Sequence, residues 1–211
     1  MRITKFGHAC VRLEHAGVTL VVDPGIFADA DVLEGADAVL ITHEHADHYQ
    51  PELLRAGTAA IHTIDAVAAK IRAEVPEAAE RLHVVEPGQV LDLGVRVEVV
   101  GEKHAVIHPD LPHFDNSGYL FDLGGTAVFH PGDALTLPQA AVDVLLVPSS
   151  APWLRSADAV DFARAVGAPT NLAIHDRIYT EFAHGVLETQ MKALLGTDQR
   201  YLRIADGADL D

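Results

Sequence analysis

AVLITHEHADH, residues 38–48, joins a short apolar run to a dense cluster of ionisable side chains. The run Ala38–Thr42 is too short for a helix and almost uniformly apolar, which predicts a strand buried on both faces. Where that strand ends, His43–His48 offers three histidines and one aspartate within six residues. Four candidate ligands so close together cannot all reach one tetrahedral ion, so the cluster predicts two neighbouring metal ions. Residues two apart in extended chain point the same way, and the turn that follows redirects Asp47 and His48.

A site with two ions needs further ligands, and single histidines and aspartates follow other predicted strands. His104 follows VRVEVV, Asp133 follows TAVFHPG and His175 follows NLAI. Each of them alone is as readily a turn residue or a structural histidine. Their joint occurrence at strand ends favours one metal site assembled from distant segments.

The 211 residues, 49% hydrophobic and 22% charged, predict one globular domain over residues 1–211. Apolar and polar residues alternate over residues 1–23, which predicts two or three antiparallel strands. Over Asp65–Val75 and Ser156–Val166 the apolar residues recur at helical spacing, which predicts two helices. A last helix is expected near Gly185–Leu195. A weak internal repeat relates VTLVVDPG, ADAVLITHEH and TAAIHT to TAVFHPGDA, VDVLLVPSS and TNLAIHD. Two related sheets backed by helices would produce it, and so would chance similarity of valine-rich strands.

The excess of acidic over basic residues restricts which partners the chain is expected to bind. Fifteen basic residues against 31 acidic ones give a formal charge of −16, which repels a phosphate backbone, so we expect no nucleic-acid partner. The longest apolar stretches are strand-sized, so no membrane contact is expected. The single Cys10 and an N-terminus without a secretory apolar region predict a reducing cytoplasm.

Five motifs together resemble the metallo-β-lactamase fold superfamily: Asp23 in VVDPG, the HxHxDH cluster, His104, Asp133 in HPGDA and His175 in AIHD. The resemblance implies an α/β fold, a four-layer αββα sandwich of two mixed sheets flanked by helices. The metal site would lie at strand ends between the sheets. GHACV with VVDPG shortly after it, and the late AIHD before a short tail, make the chain most similar to the compact branch that includes ascorbate-6-phosphate lactonase-like hydrolases. VPSSAPW and Asp176 depart from that branch and leave the substrate open.

Carried onto this sequence, the resemblance assigns a role to each ligand. One metal would be bound by His43, His45 and His104, and the other by Asp47, His48 and His175. Asp133 would bridge the two. Asp23 would orient ligand histidines through hydrogen bonds, and His8 in GHACV would line the pocket beside them.

The resemblance also implies a hydrolase that binds two divalent metal ions. Zinc is the first expectation for their identity, and manganese or iron would fit the same ligands. A hydroxide bridging the metals would attack a small-molecule lactone, ester or phosphodiester. Asp47 would hold that nucleophile and accept its proton, and His108 and His113 are candidate proton donors. The alternatives are a metal-dependent nuclease or phosphodiesterase acting on nucleic acid, and a metal-binding member of the fold without catalysis.

Other residues admit two interpretations each. Trp153 would wall the pocket or pack in the core. Asn116, Ser117 and Gly118 would supply oxyanion donors or form a turn. Tyr179 is expected to pack, and His130 is structural or supports Asp133 three residues later.

Overall fold

The computed structural model describes residues 1–210 and consists of two mixed β-sheets with helices on their outer faces. In the first sheet the spatial order of the strands is their chain order: β1 (Arg2–Lys5), β2 (Val11–His15), β3 (Val18–Val22), β4 (Ala38–Ile41), β5 (Ala60–Thr63) and β6 (Leu82–Val84). Strands β1 to β3 pair antiparallel, as the alternation predicted, and β3 to β6 pair parallel.

The second sheet has seven strands in the order β13-β12-β11-β10-β9-β8-β7. They are β7 (Val90–Asp92), β8 (Arg96–Val100), β9 (Gly118–Asp122), β10 (Ala127–His130), β11 (Val144–Pro148), β12 (Thr170–Ile174) and β13 (Arg200–Leu202). Strands β7 to β10 pair antiparallel and β10 to β13 pair parallel. Each sheet therefore has an antiparallel half and a parallel half.

Four helices complete the layers: α1 (Pro51–Ala56), α2 (Asp65–Glu74), α3 (Ser156–Val166) and α4 (Glu181–Leu194). α2 buries an apolar face against the first sheet, and α3 and α4 pack on β11 and β13 of the second. α4 begins one turn before the predicted Gly185, because Thr180 caps it by accepting the Ala183 N–H. Among the described residues no helix combines the length and apolar character needed to cross a bilayer. The layers confirm the αββα sandwich.

The packing of the core explains why all residues of β4 are apolar. Leu40 points between the sheets, where it joins Phe121 and Leu146, while its neighbours Val39 and Ile41 pack under the helices of the first sheet. All four β4 residues are buried, as expected of a strand covered on both faces.

The repeated segments occupy equivalent places in the two sheets. The first three form β3, β4 and β5, and the second three form β10, β11 and β12; each set is a run of adjacent parallel strands. Asp23 follows the first strand of one set and Asp133 follows the first strand of the other. The parallel halves of both sheets therefore deliver chemistry-bearing side chains from their strand ends.

Candidate metal centre

The seven predicted ligands converge although they come from four separate segments of chain. They follow the ends of β4, β8, β10 and β12. Their ligand atoms fall into two groups, and within each group all atoms lie within 4.8 Å of one another: His43, His45, His104 and Asp133 form one, and His8, Asp47, His48 and His175 form the other. The structure thus brings together the residues that the motifs predicted and adds His8 to the second group.

Asp133 lies between the two groups. Its Oδ2 is 3.3 Å from Nε2 of His104 and 3.9 Å from Nε2 of His43, both in the first group. The same oxygen is 3.2 Å from Nε2 of His175, and Oδ1 is 3.1 Å from Nε2 of His48, both in the second group. One carboxylate therefore faces both sets of imidazoles, which is the geometry that a bridging ligand requires.

The buried nitrogens and oxygens of this centre fit a metal. Four atoms have no hydrogen-bond partner among the described residues: Nε2 of His48, of His104 and of His175, and Oδ1 of Asp133. Leaving such groups buried and unpaired costs about 1–3 kcal/mol each. Ligands of a tetrahedral zinc ion at about 2.0–2.1 Å stand about 3.3 Å apart. The observed 3.0 Å between His43 Nε2 and His45 Nδ1, and 3.3 Å between His175 Nε2 and Asp47 Oδ2, match that spacing.

Asp23 sets the orientation of His48. Its Oδ2 accepts hydrogen bonds from the Thr42 hydroxyl at 2.8 Å and from Nδ1–H of His48 at 2.7 Å, and its Oδ1 accepts the Thr42 N–H at 2.8 Å. Because Nδ1 carries the proton, Nε2 is left with a lone pair that points into the centre. His104 and His175 use backbone acceptors in the same way, since their Nδ1 atoms contact the carbonyls of Ala105 and Ser150.

His8 orients Asp47 rather than offering a free nitrogen. Its Nδ1 accepts the N–H of Arg177 at 3.1 Å, so its proton is on Nε2, which donates to Oδ2 of Asp47 at 3.1 Å. The ring also lies against His175, with 3.9 Å between centroids. Burial lowers the pKa of His8 to about 4, so the imidazole is neutral at pH 7. These contacts match the supporting position predicted for His8.

The centre is built for positive charge. Burial opposes protonation of His175, but Asp133 and Asp47 outweigh it and raise its pKa to about 9. His48 behaves likewise: burial opposes its charge, and its two carboxylate neighbours raise its pKa well above the ordinary value. The pKa of Asp133 is held far below its usual range, because His48 and His175 outweigh the burial that would raise it. Without metal, protons supply the cationic charge that the carboxylates stabilise.

Backbone conformations at the centre are also unusual. His8, Asp23 and His175 have φ of +53°, +49° and +52°, the left-handed region that side chains rarely adopt. Residues held there by the surrounding fold cluster at functional sites. Gly25 is required for a different reason: a Cβ at this position would lie 2.0 Å from the Asp47 carbonyl oxygen, so only glycine lets the two loops meet.

Trp153 has a contact that no sequence pattern indicates. Its indole Nε1–H donates to Oδ2 of Asp133 at 3.0 Å, and its ring centroid lies 5.7 Å from that of His104. The side chain is half-buried. Trp153 therefore forms a wall of the metal centre. Its position as the one tryptophan, in the loop after a buried strand, led to the two interpretations above, and the structure shows features of both, since the ring also packs against the core of the second sheet.

The two histidines predicted as proton donors lie outside the centre. The His108 side chain is 61% exposed, and its Nδ1 accepts the N–H of Asp110 within the same loop. Nε2 of His113 donates to the backbone carbonyl of His104 at 2.6 Å, which supports the loop of a ligand. Neither ring belongs to the two groups of ligand atoms, and the role of either histidine as a proton donor stays a prediction.

Asn116 and Ser117 make the contacts of a structural turn, and the oxyanion role considered for them stays a prediction. Both ends of the Asn116 amide are occupied, because Nδ2–H donates to the Pro131 carbonyl at 2.9 Å and Oδ1 accepts the Asp133 N–H at 3.0 Å. The Ser117 N–H donates to the Thr42 carbonyl at 3.0 Å. These hydrogen bonds hold the loops that carry the ligands, while the buried Ser117 hydroxyl has no partner among the described residues.

Tyr179 and His130 are structural. The Tyr179 hydroxyl donates to the carbonyls of Ala151 and Leu154, which braces the turn that contains the tryptophan. Nε2 of His130 donates to the Ala9 carbonyl at 2.9 Å and joins the two sheets. As expected, Tyr179 packs rather than reacts.

Comparisons with known proteins agree with this geometry. The family model described as "Beta-lactamase superfamily domain" matches residues 2–175. Protein Rv0786c of Mycobacterium tuberculosis is 36% identical over 209 residues, 96% of each chain. A UPF0173 protein of Pyrococcus abyssi is 33% identical over 174 residues, 78% of this chain and 79% of its own. A UPF0173 metal-dependent hydrolase of Methanosphaerula palustris is 29% identical over 189 residues, 83% of each chain.

Solved structures share the fold. The metallo-beta-lactamase fold protein YhfI from Bacillus subtilis superposes with a TM-score of 0.76 at 17% identity, covering 99% of this chain and 98% of its own. Igni18, a metallo hydrolase from Ignicoccus hospitalis, superposes with a TM-score of 0.73 at 19% identity, covering 99% of this chain and 97% of its own. The narrower likeness to ascorbate-6-phosphate lactonase-like enzymes stays a prediction. The motif order, the sandwich and the family match together show that the chain belongs to the beta-lactamase superfamily.

Proposed function

We propose that this metal-dependent hydrolase holds two divalent cations, zinc in the first place, and hydrolyses a small-molecule lactone, ester or phosphodiester. One observation carries the proposal: two groups of ligand atoms face the same carboxylate, Asp133, with unpaired Nε2 atoms directed between them. His43, His45 and His104 would hold one cation, and Asp47, His48 and His175 the other. Imidazole and carboxylate donors suit zinc and accept manganese or iron.

The bound cations would supply Lewis-acid activation, both of a water molecule and of the carbonyl or phosphoryl oxygen under attack. The protein supplies orientation. Asp23 keeps the His48 lone pair directed inward, and His8 fixes Oδ2 of Asp47 at 3.1 Å. The Asp47 side chain is 25% exposed, unlike the other carboxylates of the centre, so it borders the space that substrate would enter. That position suits it to hold the nucleophilic water and to accept its proton.

The test combines elemental analysis of gently purified protein with hydrolysis assays on generic lactone, ester and bis-aryl phosphodiester substrates. We expect close to two metals per chain and one preferred substrate class. Asp133→Asn should lose metal and activity while the fold persists. Asp37→Asn is the matched control, because Asp37 accepts a backbone N–H from Thr19 but lies at the opposite end of β4.

Each other outcome contradicts a defined part of the proposal. Fewer than one metal per chain, without rescue by added zinc, manganese or iron, would refute the ligand assignment. Two metals without turnover of any substrate would indicate a metal-binding member without catalysis. Preferred cleavage of nucleic acid would indicate a nuclease, against the repulsion expected from the −16 charge.

A further inference from the structure

Three aromatic rings from three separate loops lie against the histidines of the metal centre. Phe27, after β3, lies 5.0 Å from the His8 ring, centroid to centroid. Phe114, before β9, lies 4.6 Å from His45. Trp153, after β11, lies 5.7 Å from His104 and also donates its N–H to Asp133. The centre therefore has aromatic walls on several sides.

These rings lie between the histidines and solvent. Phe27 is 40% exposed, whereas the His8 that it covers is fully buried. Phe114 and Trp153 are half-buried, and His104 beneath them is 2% exposed. Partly exposed apolar ring surface therefore flanks the buried ligand histidines, beside the partly exposed Asp47.

The same loops provide no unpaired positive charge. Three basic residues occur in the described segments that follow the site strands, and each has an acidic partner: Lys103 pairs with Asp115, Arg155 with Asp158, and Arg177 with Asp206. Proteins that recognise phosphate or carboxylate groups normally present arginine or lysine to them. Lys70 of α2 also reaches the His43–His48 loop, where its ammonium donates to the Glu44 carbonyl at 3.3 Å and lies over the Tyr49 ring. In the described loops that follow the site strands, no arginine or lysine without an acidic partner is left for an anionic substituent.

We propose that the site selects an uncharged substrate, an ester or lactone whose acyl group is apolar and packs on Trp153 and Phe114. The inference rests on the proposed hydrolase function and narrows it, because phosphodiesters and phosphorylated or carboxylated esters would carry a charge into the aromatic walls. Apolar contact with a ring favours the uncharged group. The Trp153 N–H holds the edge of the indole at Asp133, and the half-buried ring leaves part of its surface for the acyl chain.

A matched pair of esters tests the charge preference. 4-Nitrophenyl hexanoate and mono(4-nitrophenyl) adipate share a leaving group and differ by a terminal methyl against a carboxylate. We expect kcat/KM at least about tenfold higher for the hexanoate, a difference of about 1.4 kcal/mol. Equal or faster hydrolysis of the adipate would overturn the inference, as would a preference for bis(4-nitrophenyl) phosphate over the hexanoate.

Variants test the walls. Trp153→Ala and Phe114→Ala should lower the ratio of kcat/KM for the hexanoate to kcat/KM for 4-nitrophenyl acetate, which has no chain to pack, by about fivefold to thirtyfold. The ratio is the readout, because both rings touch residues of the metal centre and their loss also lowers the activity on both esters. Phe182→Ala is the control, because Phe182 is 83% exposed on α4. Equal losses with both esters would mean that the rings only hold the fold, and would refute the specificity role.

A binding measurement separates this inference from the proposed function. Trp153 is the single tryptophan, so the fluorescence of the metal-loaded protein reports on the site itself. Hexanamide should bind more tightly than the anionic monoamide of adipic acid. If that holds while no ester or lactone is hydrolysed, the hydrolytic proposal fails and the preference for uncharged groups stands. Equal or tighter binding of the adipic monoamide would refute the preference, whatever the turnover.

Discussion

Replacing Asp23 by asparagine should weaken metal binding while it leaves the shape of the centre unchanged. In the native protein Oδ2 of Asp23 accepts Nδ1–H of His48 at 2.7 Å and the Thr42 hydroxyl at 2.8 Å. An asparagine that keeps accepting the Thr42 N–H through its oxygen must direct its NH₂ group at Nδ1 of His48. Nδ1 of His48 then accepts a hydrogen bond from the amide, and the single proton of the neutral ring sits on Nε2, the atom that should bind metal.

The size of the effect follows from these contacts. Loss of an orienting hydrogen bond to a ligand histidine typically reduces metal affinity by about 10 to 100-fold. That range corresponds to about 1.4–2.8 kcal/mol. Because Asp23 and His48 are both fully buried, no water can take over the lost acceptor. We therefore expect a loss toward the upper end of that range for the ion held with His48.

The assay is competition with a zinc chelator, followed by elemental analysis and by the fluorescence of Trp153. Circular dichroism checks the fold, and Asp37→Asn serves as the isosteric control. Retention of two metals at wild-type affinity in Asp23→Asn would refute the assignment of Nε2 of His48 as a ligand atom. An equal loss of affinity in the Asp37 variant would show that the effect is not specific to the centre.

Three further perturbations probe the surroundings of the centre. Lys5→Met should lower the Tm by roughly 6–12 °C, because the 1%-exposed ammonium pairs with Asp176 at 3.0 Å and breaking a buried pair costs about 3 kcal/mol or more. Metal affinity should rise as pH rises toward 9. Burial opposes the charge of His175, but the nearby carboxylates outweigh burial and raise its pKa to about 9, so a metal ion must displace that proton. Calorimetry in two buffers measures the proton release on metal binding and checks this. Gly25→Ala should cost at least one metal per chain, since its Cβ would meet the Asp47 carbonyl at 2.0 Å, and elemental analysis measures the loss.

Two controls accompany these variants. Lys192→Met removes an exposed pair with Glu188 on α4 and should change the free energy of unfolding by less than about 1 kcal/mol. Gly185→Ala, in the interior of α4 with open space around it, should stabilise the protein by about 0.5–1 kcal/mol. If Lys5→Met had the same Tm as Lys192→Met, the argument for the buried ion pair would be wrong. Metal affinity that does not change with pH would contradict the argument from His175, and full metal occupancy in Gly25→Ala would contradict the argument from the close approach of the two loops.

Local periodicity was sufficient to predict the elements of the fold that carry a strong pattern. The helix predicted over Ser156–Val166 has those bounds, and that over Asp65–Val75 ends one residue earlier at Glu74. The short helix α1 and the strand β13 were not predicted, because six and three residues are too few to establish a period. Their conformations depend on packing against distant segments.

The metal ligands were predictable for a related reason. His43 to His48 form a local cluster, and His104, Asp133 and His175 each follow a strand whose apolar pattern is evident. The resemblance to the superfamily supplied the pairing between them. His108 and His113 are near the ligands in sequence, but nothing in a loop sequence shows which way its rings point, so their assignment as proton donors stays a prediction.

The amino-acid sequence by itself determined the strands with a clear pattern, the candidate ligands and the acidic character of the protein, because each depends on neighbouring residues or on composition. The resemblance also indicated Asp23 and His8 as supporting residues, but only the tertiary structure decided which atoms the supporting groups contact. Asp23 meets His48 across 25 residues, Trp153 meets Asp133 across 20, and Arg177 meets His8 across 169. Such contacts join different sheets and loops, so their partners are chosen by the packing of the whole sandwich. The same packing imposes the left-handed backbone at His8 and His175, which no local preference favours.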